Sequence, residues 1–546
     1  MNPRVVIIGG GVAGMTAAHE LIDRNFDVTV LERDMRPGGK AKTYDAPSPL
    51  SSGKLPLPGE HGFRFFPHFY QNIRDTMDRI SLQSGTRTVK DNLVQAPRAM
   101  LAREGKPPIE LPTGPSRSIV EIQTVLRDLF QGSETGLTSS DYLYFAEKIL
   151  EIMSACPERA LKQFESETWW HFMEADNQSK AFQTYLVEGL TSCLVAARAK
   201  EANVRAGGVV LTQLFYGLLQ GVPIDWVLNG PTTNAWLDPW LVELQSKNVD
   251  FKLGAEVTGF ALTNDKIASV EFNHNGVTKQ ISGDYYVGAV PVEVMQHLWS
   301  HEMQALDPTF ARNLQLISSE VGWMTGLQYF LTVDAPITPG HITFIDSPWS
   351  LTAISQPQFW PGVDLGQYGD GSLHGILSVD ISEWNKAGVL YGLPALQCTA
   401  TQIAEEVWQQ MVVRLNVGGL QRIPASVPPN RMIDPNVIFN SHPSRNDAPL
   451  FINKVGTWAR RPDNETPVRN LFLASDYVRT DTNLATMEAA NESARRAVQM
   501  IVDFSGVGGS CRWFSLPDPF VHWLGPARKI DCMRYGLGLD WVRPTL

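Results

Sequence analysis

Residues 4–32 decide the fold: Arg4-Val5-Val6-Ile7-Ile8-Gly9-Gly10-Gly11-Val12-Ala13-Gly14-Met15, running on to Asp27-Val28-Thr29-Val30-Leu31-Glu32. Residues 5–8 form an unbroken β-branched run, the pattern of a parallel strand buried on both faces. Three glycines follow as Gly9-x-Gly11-x-x-Gly14, and residues 15–24 read as a helix. The first glycine makes a tight turn, the second lets a pyrophosphate reach the backbone, and the third lets helix pack on strand. Val12 and Ala13 fall where the free N–H groups of a helix N-terminus meet phosphate. The second strand, 27–31, ends in Glu32, 18 residues after Gly14, where a carboxylate accepts hydrogen bonds from both ribose hydroxyls of an adenine nucleotide. Strand, glycine turn, helix, strand and acid together predict an α/β, doubly wound Rossmann-like domain that binds a dinucleotide.

The chain around this segment has 546 residues, enough for several domains. With 43% hydrophobic and 19% charged residues it is globular rather than disordered. A net charge of −11 without a dense basic block argues against nucleic acid as a partner. The five cysteines (Cys156, Cys193, Cys398, Cys511, Cys532) lie far apart without framework spacing, as expected of free thiols in a reducing compartment. The N-terminus lacks the regions of a signal peptide, and the uncharged apolar run 5–18 is too short to span a membrane. A cytoplasmic location is expected, with attachment to a membrane surface left open.

After Glu32 comes Arg33-x-x-Arg36-x-Gly38-Gly39-Lys40, and further on Gly59-Glu60-His61-Gly62-Phe63-Arg64-Phe65-Phe66-Pro67. Here the sequence resembles the flavin amine oxidase and carotenoid desaturase superfamily, whose members carry R-x-G-G soon after the ribose-binding Glu and use FAD. Gly-Gly-Lys is similar to the plant-type phytoene and zeta-carotene desaturases and the bacterial hydroxysqualene dehydroxylase-like proteins. The resemblance implies that Arg33, Gly38, Gly39 and Lys40 contact FAD and that His61, Gly62 and Phe63 lie beside its isoalloxazine ring. His61 and Arg64 are the catalytic candidates, able to hydrogen-bond flavin or substrate edges, with His68, Tyr70 and Tyr216 as weaker substrate contacts. Plain core packing is the alternative reading of Phe63, Phe65, Phe66 and Phe69.

At the far end, 470–477 (Asn-Leu-Phe-Leu-Ala-Ser-Asp-Tyr) reads as a buried strand, and Met487-Glu488-Ala489-Ala490 opens a helix to about 501. This is similar to the superfamily's C-terminal flavin motif, with Ser475 and Ala489 standing where glycine is usual. The resemblance places Ser475 and Asp476 by the ribityl chain or pyrophosphate, and Thr486 and Met487 at a helix start facing the flavin pyrimidine. A positive helix end there stabilises the negative charge that builds on reduction. It also matches Val257, in a strand–turn–strand at 249–257, to the residue whose backbone touches adenine. The nucleotide domain is thus expected from 1–95, 245–295 and 450–505, and an interleaved mixed α+β substrate domain from 96–244 and 296–449. A tail at 506–546 follows. Helices are expected at 118–130, 140–153, 291–301 and 399–414, and strands at 326–333 and 373–380.

The expected activity is FAD-dependent dehydrogenation (desaturation) of a hydrophobic, isoprenoid or long-chain small molecule, with hydride passing to flavin N5 and quinone or oxygen as the final acceptor. An amine or amino-acid oxidase releasing hydrogen peroxide, an FAD-dependent isomerase and a non-catalytic isoprenoid-binding protein are the alternatives. The helix at 213–220 lacks the Arg that plant-type phytoene desaturases carry. The aromatics Trp169, Trp170, Phe215, Tyr216, Trp236, Trp240, Trp323, Phe344, Trp349, Phe359 and Trp360 suit either the walls of an apolar tunnel or a core. His297-x-x-x-His301 has metal-pair spacing but no third ligand, so no metal is expected. The tail mixes aromatic and basic residues, as a membrane-surface anchor or lid would, while prolines at 517, 519, 526 and 544 argue against one long helix.

Overall fold

In the computed structural model, which describes residues 2–82, 85–113, 135–189, 198–439 and 443–544, the glycine turn lies at the centre of a five-stranded parallel sheet. Its order is Leu471–Leu473, Tyr285–Gly288, Arg4–Ile8, Asp27–Glu32, Asp250–Leu253. Strand residues alternate between faces, and the two faces bury different cores. Val5 and Ile7 face the helices Val12–Ile22 and Met487–Ser505, packing with Met15, Leu21, Val498 and Ile501. Val6 and Ile8 face the other way, toward Phe260 and Val270 of a three-stranded antiparallel sheet and toward Met295. Burial on both sides explains why the first strand needs a continuous apolar run.

The second layer system is a seven-stranded mixed sheet in the order Arg431–Ile433, Thr325–Leu331, Gly375–Ile381, Leu351–Ser355, Gly340–Phe344, Arg98–Arg103, Lys106–Pro112. Leu327, Tyr329 and Val379 pack against Val407, Trp408 and Met411 of the helix Ala400–Leu415. That helix starts at a capping box, Thr399 with Gln402. A helical group, including Ser139–Ser154, Pro157–Ser166 and Val204–Gln220, surrounds Trp169 and Trp170.

Several expectations change. The helix expected at 291–301 is two, Val292–Leu298 and His301–Leu306, because Ser300 caps the second by accepting from the Met303 amide at 3.3 Å. His297 and His301 therefore do not share one helical face. Residues 233–244, which the sequence division assigns to the second domain, pack on the first: Trp236 stacks on Trp240 at 6.0 Å, and Trp240 Nε1 donates to His19 Nδ1 at 3.1 Å. The tail forms a helix, Val521–Gly536, despite Pro526. Three of the four prolines fall outside it, and docking of the buried Leu524 and Asp531 offsets the one hydrogen bond that Pro526 removes. Asp531 pairs with buried Arg159 (Nη2 to Oδ1, 2.9 Å) and accepts from the Cys156 amide at 2.9 Å. The same contact gathers cysteines that are remote in sequence: the ligand atoms of Cys156, Glu158 and Cys532 lie within 4.8 Å of one another. The helix expected at 118–130 lies outside the described residues.

Candidate cofactor and substrate site

A cavity of about 430 Å³ runs past the carboxyl ends of four of the parallel strands, where Gly9, Glu32, Ala289 and Ser475 follow or end them. This is where open α/β sheets bind ligands. Gly9 holds φ +98°, and a Cβ there would sit 2.5 Å from the Ala289 carbonyl oxygen, so the turn admits only glycine. A Cβ on Gly14 would lie 1.9 Å from the Gly9 oxygen: Gly14 is a packing residue and does not line the cavity. Gly11, Val12 and Ala13 bring the start of the helix Val12–Ile22 to the wall, and no side chain caps its free N–H groups.

Glu32 lines the cavity with half of its acceptor capacity already committed. Oε2 accepts from the Gly10 amide at 2.6 Å and Oε1 from the Asp34 amide at 2.8 Å. Burial pushes its carboxyl above the ordinary range, and those two amides oppose the shift. Arg33, Gly38, Gly39, Lys40 and Val257 line the same stretch. Lys40 faces Glu293 at 3.6 Å, a half-buried acid raised by desolvation. Beyond the glycine neck come Ser475, Asp476, Thr486 and Met487. Thr486 caps the helix Met487–Ser505, accepting from the Ala489 amide at 3.2 Å. Neither Ser475 nor Ala489 has a positive φ, so these two departures from glycine carry no backbone strain.

At the remaining end stand His61, Gly62, Phe63, Arg64 and Tyr70. His61 Nδ1 pairs with Asp434, and its buried Nε2 has no protein partner. Burial opposes ionisation of Asp434, but the His61 ring and the Asn436 bonds outweigh it and hold the carboxyl below the ordinary range. Arg64 donates to the Lys40 carbonyl at 2.8 Å and faces Glu60 at 3.8 Å. Two weak expectations are corrected. His68 packs edge-on against Phe69 at 5.6 Å and under Gly217, and Tyr216 meets Phe520 of the tail at 5.2 Å; neither lines the cavity. Of the two readings of the aromatics, tunnel wall or core, the core holds for Trp169, Trp236, Trp349 and Trp360, which fill separate cores. The sequence reading missed Glu293, Met324, Asp380 and Asn436, which line the cavity from remote segments. Asp380 alone left a signal, a single acid inside the apolar run Ile376-Leu377-Ser378-Val379-Asp380-Ile381.

The donor set fits FAD: an acid with free acceptor positions, a glycine neck at one helix N-terminus, a second helix N-terminus beyond it, and an unpartnered imidazole nitrogen. Fold and site define an FAD-dependent oxidoreductase. The chain belongs to the flavin containing amine oxidoreductases, whose family model matches residues 12–502. It is similar, at 22% identity, to the carotenoid phi-ring synthase of Streptomyces griseus over 94% of this chain and 90% of that protein. A stretch of 44 residues, 8% of this chain and 9% of the other, is 52% identical to the L-amino acid oxidase of Bothrops pictus. The solved structure of cyclohexylamine oxidase from Brevibacterium oxydans IH-35A matches with a TM-score of 0.56 at 13% identity, covering 93% of this chain and 100% of that one, a likeness of fold.

Proposed function

We propose that this protein dehydrogenates a hydrophobic substrate, isoprenoid or otherwise long-chained, and that quinone or oxygen reoxidises the enzyme. The observation that carries this reading is the extent of similarity: the carotenoid phi-ring synthase aligns along nearly the whole chain, the amino acid oxidase along a short stretch. Supporting it, the cations of the cavity are engaged by the protein itself. Lys42 pairs with Asp34, Lys40 with Glu293, and Arg64 with a carbonyl, while Phe63, Phe65, Tyr70 and Met324 offer apolar wall.

In this reading Glu32 holds the adenine ribose and Val257 the adenine. Gly9, Gly11, Val12, Ala13, Arg33, Gly38, Gly39 and Lys40 surround the pyrophosphate. Ser475 and Asp476 meet the ribityl chain, Thr486 and Met487 the pyrimidine, and His61, Gly62 and Phe63 the ring. Bound FAD supplies a two-electron acceptor. The protein's part is to orient substrate against it and exclude water. His61, fixed through Nδ1 by Asp434, presents Nε2 as a positioned hydrogen-bonding group.

The test is anaerobic absorbance of the FAD-loaded protein mixed with β-carotene in detergent micelles, or with cyclohexylamine or L-leucine. Bleaching by the polyene alone is expected. Bleaching only by amine or amino acid, with peroxide formed in air, would replace this reading by the oxidase.

Contact with a membrane surface belongs to the same proposal. No described helix is long and apolar enough to cross a membrane. The tail helix and its C-cap residue instead present Trp523, Ile530, Met533 and Leu537 at 79%, 50%, 64% and 76% exposure, beside Lys529 and Arg534. An apolar stripe flanked by cations suits an anionic lipid surface. Co-sedimentation with phosphatidylserine vesicles, abolished by Trp523→Ser with Met533→Glu, is expected; equal pelleting of both proteins would refute it.

A further inference from the structure

The strand Gly375–Ile381 is buried along its whole length yet contains a carboxylate, Asp380. Two glycines bring the loop of His61 down onto it. Gly326 is the cross-strand neighbour of Asp380, and a Cβ there would lie 2.5 Å from the Gly62 nitrogen. Gly62 in turn has φ +141°, and a Cβ on it would lie 2.5 Å from Asp380 Oδ1. Asp380 lines the cavity, and its Oδ1 is buried without any hydrogen-bond partner. An unsatisfied buried acid destabilises a fold, so its open position matters for what the cavity receives.

The charged and titratable groups around it come from four directions. Arg64 and His61 stand on the loop, with Glu60 behind Arg64. His341, paired with Asp225, comes from the strand Gly340–Phe344. Asp434 follows the strand Arg431–Ile433, and Tyr44, which accepts from Asn436 at 3.1 Å, completes the wall. Within this set the two aspartates are driven apart. Asp434 is held ionised by His61 and Asn436. Burial, helped by Asp434 and opposed by Arg64, His341 and a hydrogen bond from the Phe63 amide, pushes Asp380 up to about 7. Divergent carboxyl environments in one site mark separate acid–base roles. His61 turns Nδ1 to Asp434 and keeps Nε2 open as the group proposed above to face the ring, Arg64 is no base, and Asp380 Oδ1 is a carboxylate acceptor without a partner.

We propose that Asp380 is the proton acceptor of this site and takes the substrate proton released on dehydrogenation. The inference rests on the reading under Proposed function. In that reaction two C–H bonds break and one C=C bond forms. One hydrogen leaves with its bonding pair to the oxidised cofactor. The other leaves as a proton, its pair becoming the π bond, and forms an O–H bond at the Asp380 carboxylate. Solvent removes it between turnovers.

Asp380→Asn keeps shape and removes the base, and Asp380→Glu keeps the acid. Without substrate, infrared difference spectra of the FAD-loaded proteins between about pH 5.5 and pH 8.5 should show a protonated-carboxyl band lost with rising pH in wild type and reduced in Asp380→Asn, where the Glu488 carboxyl, also raised to about 7 by burial, still contributes. Because the folded-state pKa is raised, wild-type stability should fall over that window relative to Asp380→Asn, read as melting temperature. With β-carotene micelles, anaerobic bleaching in wild type should accelerate as pH rises through the ionisation. In Asp380→Asn it should be slower by about 10²–10⁴-fold and pH-independent, and Asp380→Glu should regain part of the rate. An unchanged band, or an Asp380→Asn rate with the wild-type pH profile, overturns the proposal alone. Bleaching by no polyene overturns the dehydrogenase reading and the proton role with it, while the band still reports whether Asp380 ionises there.

Discussion

Replacing Glu32 by glutamine isolates the adenosine end of the site. An ionised carboxylate offers about four acceptor positions. Two are filled by the Gly10 amide at 2.6 Å and the Asp34 amide at 2.8 Å, which leaves a pair for the two ribose hydroxyls. A hydrogen bond to a charged group contributes about 1.5–3 kcal/mol, so the pair accounts for about 3–6 kcal/mol of FAD binding. Glutamine has the same size, but its NH₂ must face one of those two amides, donor against donor, and the side chain loses its charge. The expected result is FAD affinity weaker by about 10²–10⁴-fold, measured by quenching of flavin fluorescence as apoprotein is titrated with FAD. Melting of the apoprotein is the control, separating lost ligand contacts from a disturbed glycine turn. A dissociation constant within about threefold of wild type, with unchanged melting, would refute the role given to Glu32.

Asp531→Ala should leave the Arg159 guanidinium, 2% exposed, without its partner and should free the tail helix. A loss of about 3–5 kcal/mol is expected, seen in chemical denaturation and as faster proteolysis near 521–536. His19, buried and accepting from Trp240, is lowered to about 4 by burial and by Arg79. The unfolded chain therefore binds more protons between about pH 6.5 and pH 4, and stability falls as pH drops through that window by about 3 kcal/mol. His19→Gln should flatten this part of a melting-temperature profile; an unchanged slope would refute the assignment.

What was legible along the chain follows from how far each signal reaches. Gly9, Gly14 and Glu32 are local: a turn, a packing contact and a strand end within 32 residues, whose roles are set by backbone geometry. The helix starting at Met487 was legible for the same reason. His68 and Tyr216 were misplaced because adjacency to a motif does not say which way a side chain faces, and both turn toward neighbouring helices and the tail. The aromatics were ambiguous between tunnel and core because both demand the same residue types, and packing put them in cores.

The sequence by itself determined the doubly wound dinucleotide-binding fold, because strand periodicity, glycine sterics and an acid at a strand end act over short distances, while FAD as the dinucleotide came from the resemblance of the flanking motifs to a flavin family. Only the tertiary structure decided the composition of the other end of the cavity. Asp380 meets the His61 loop because Gly326 and Gly62 lack the Cβ atoms that would hold loop and sheet apart. Asp434 reaches His61 from a segment more than 370 residues away. Cys156 and Cys532, unrelated along the chain, become neighbours when Asp531 docks on Arg159. Such juxtapositions depend on the packing of separate elements, and no local residue pattern encodes them.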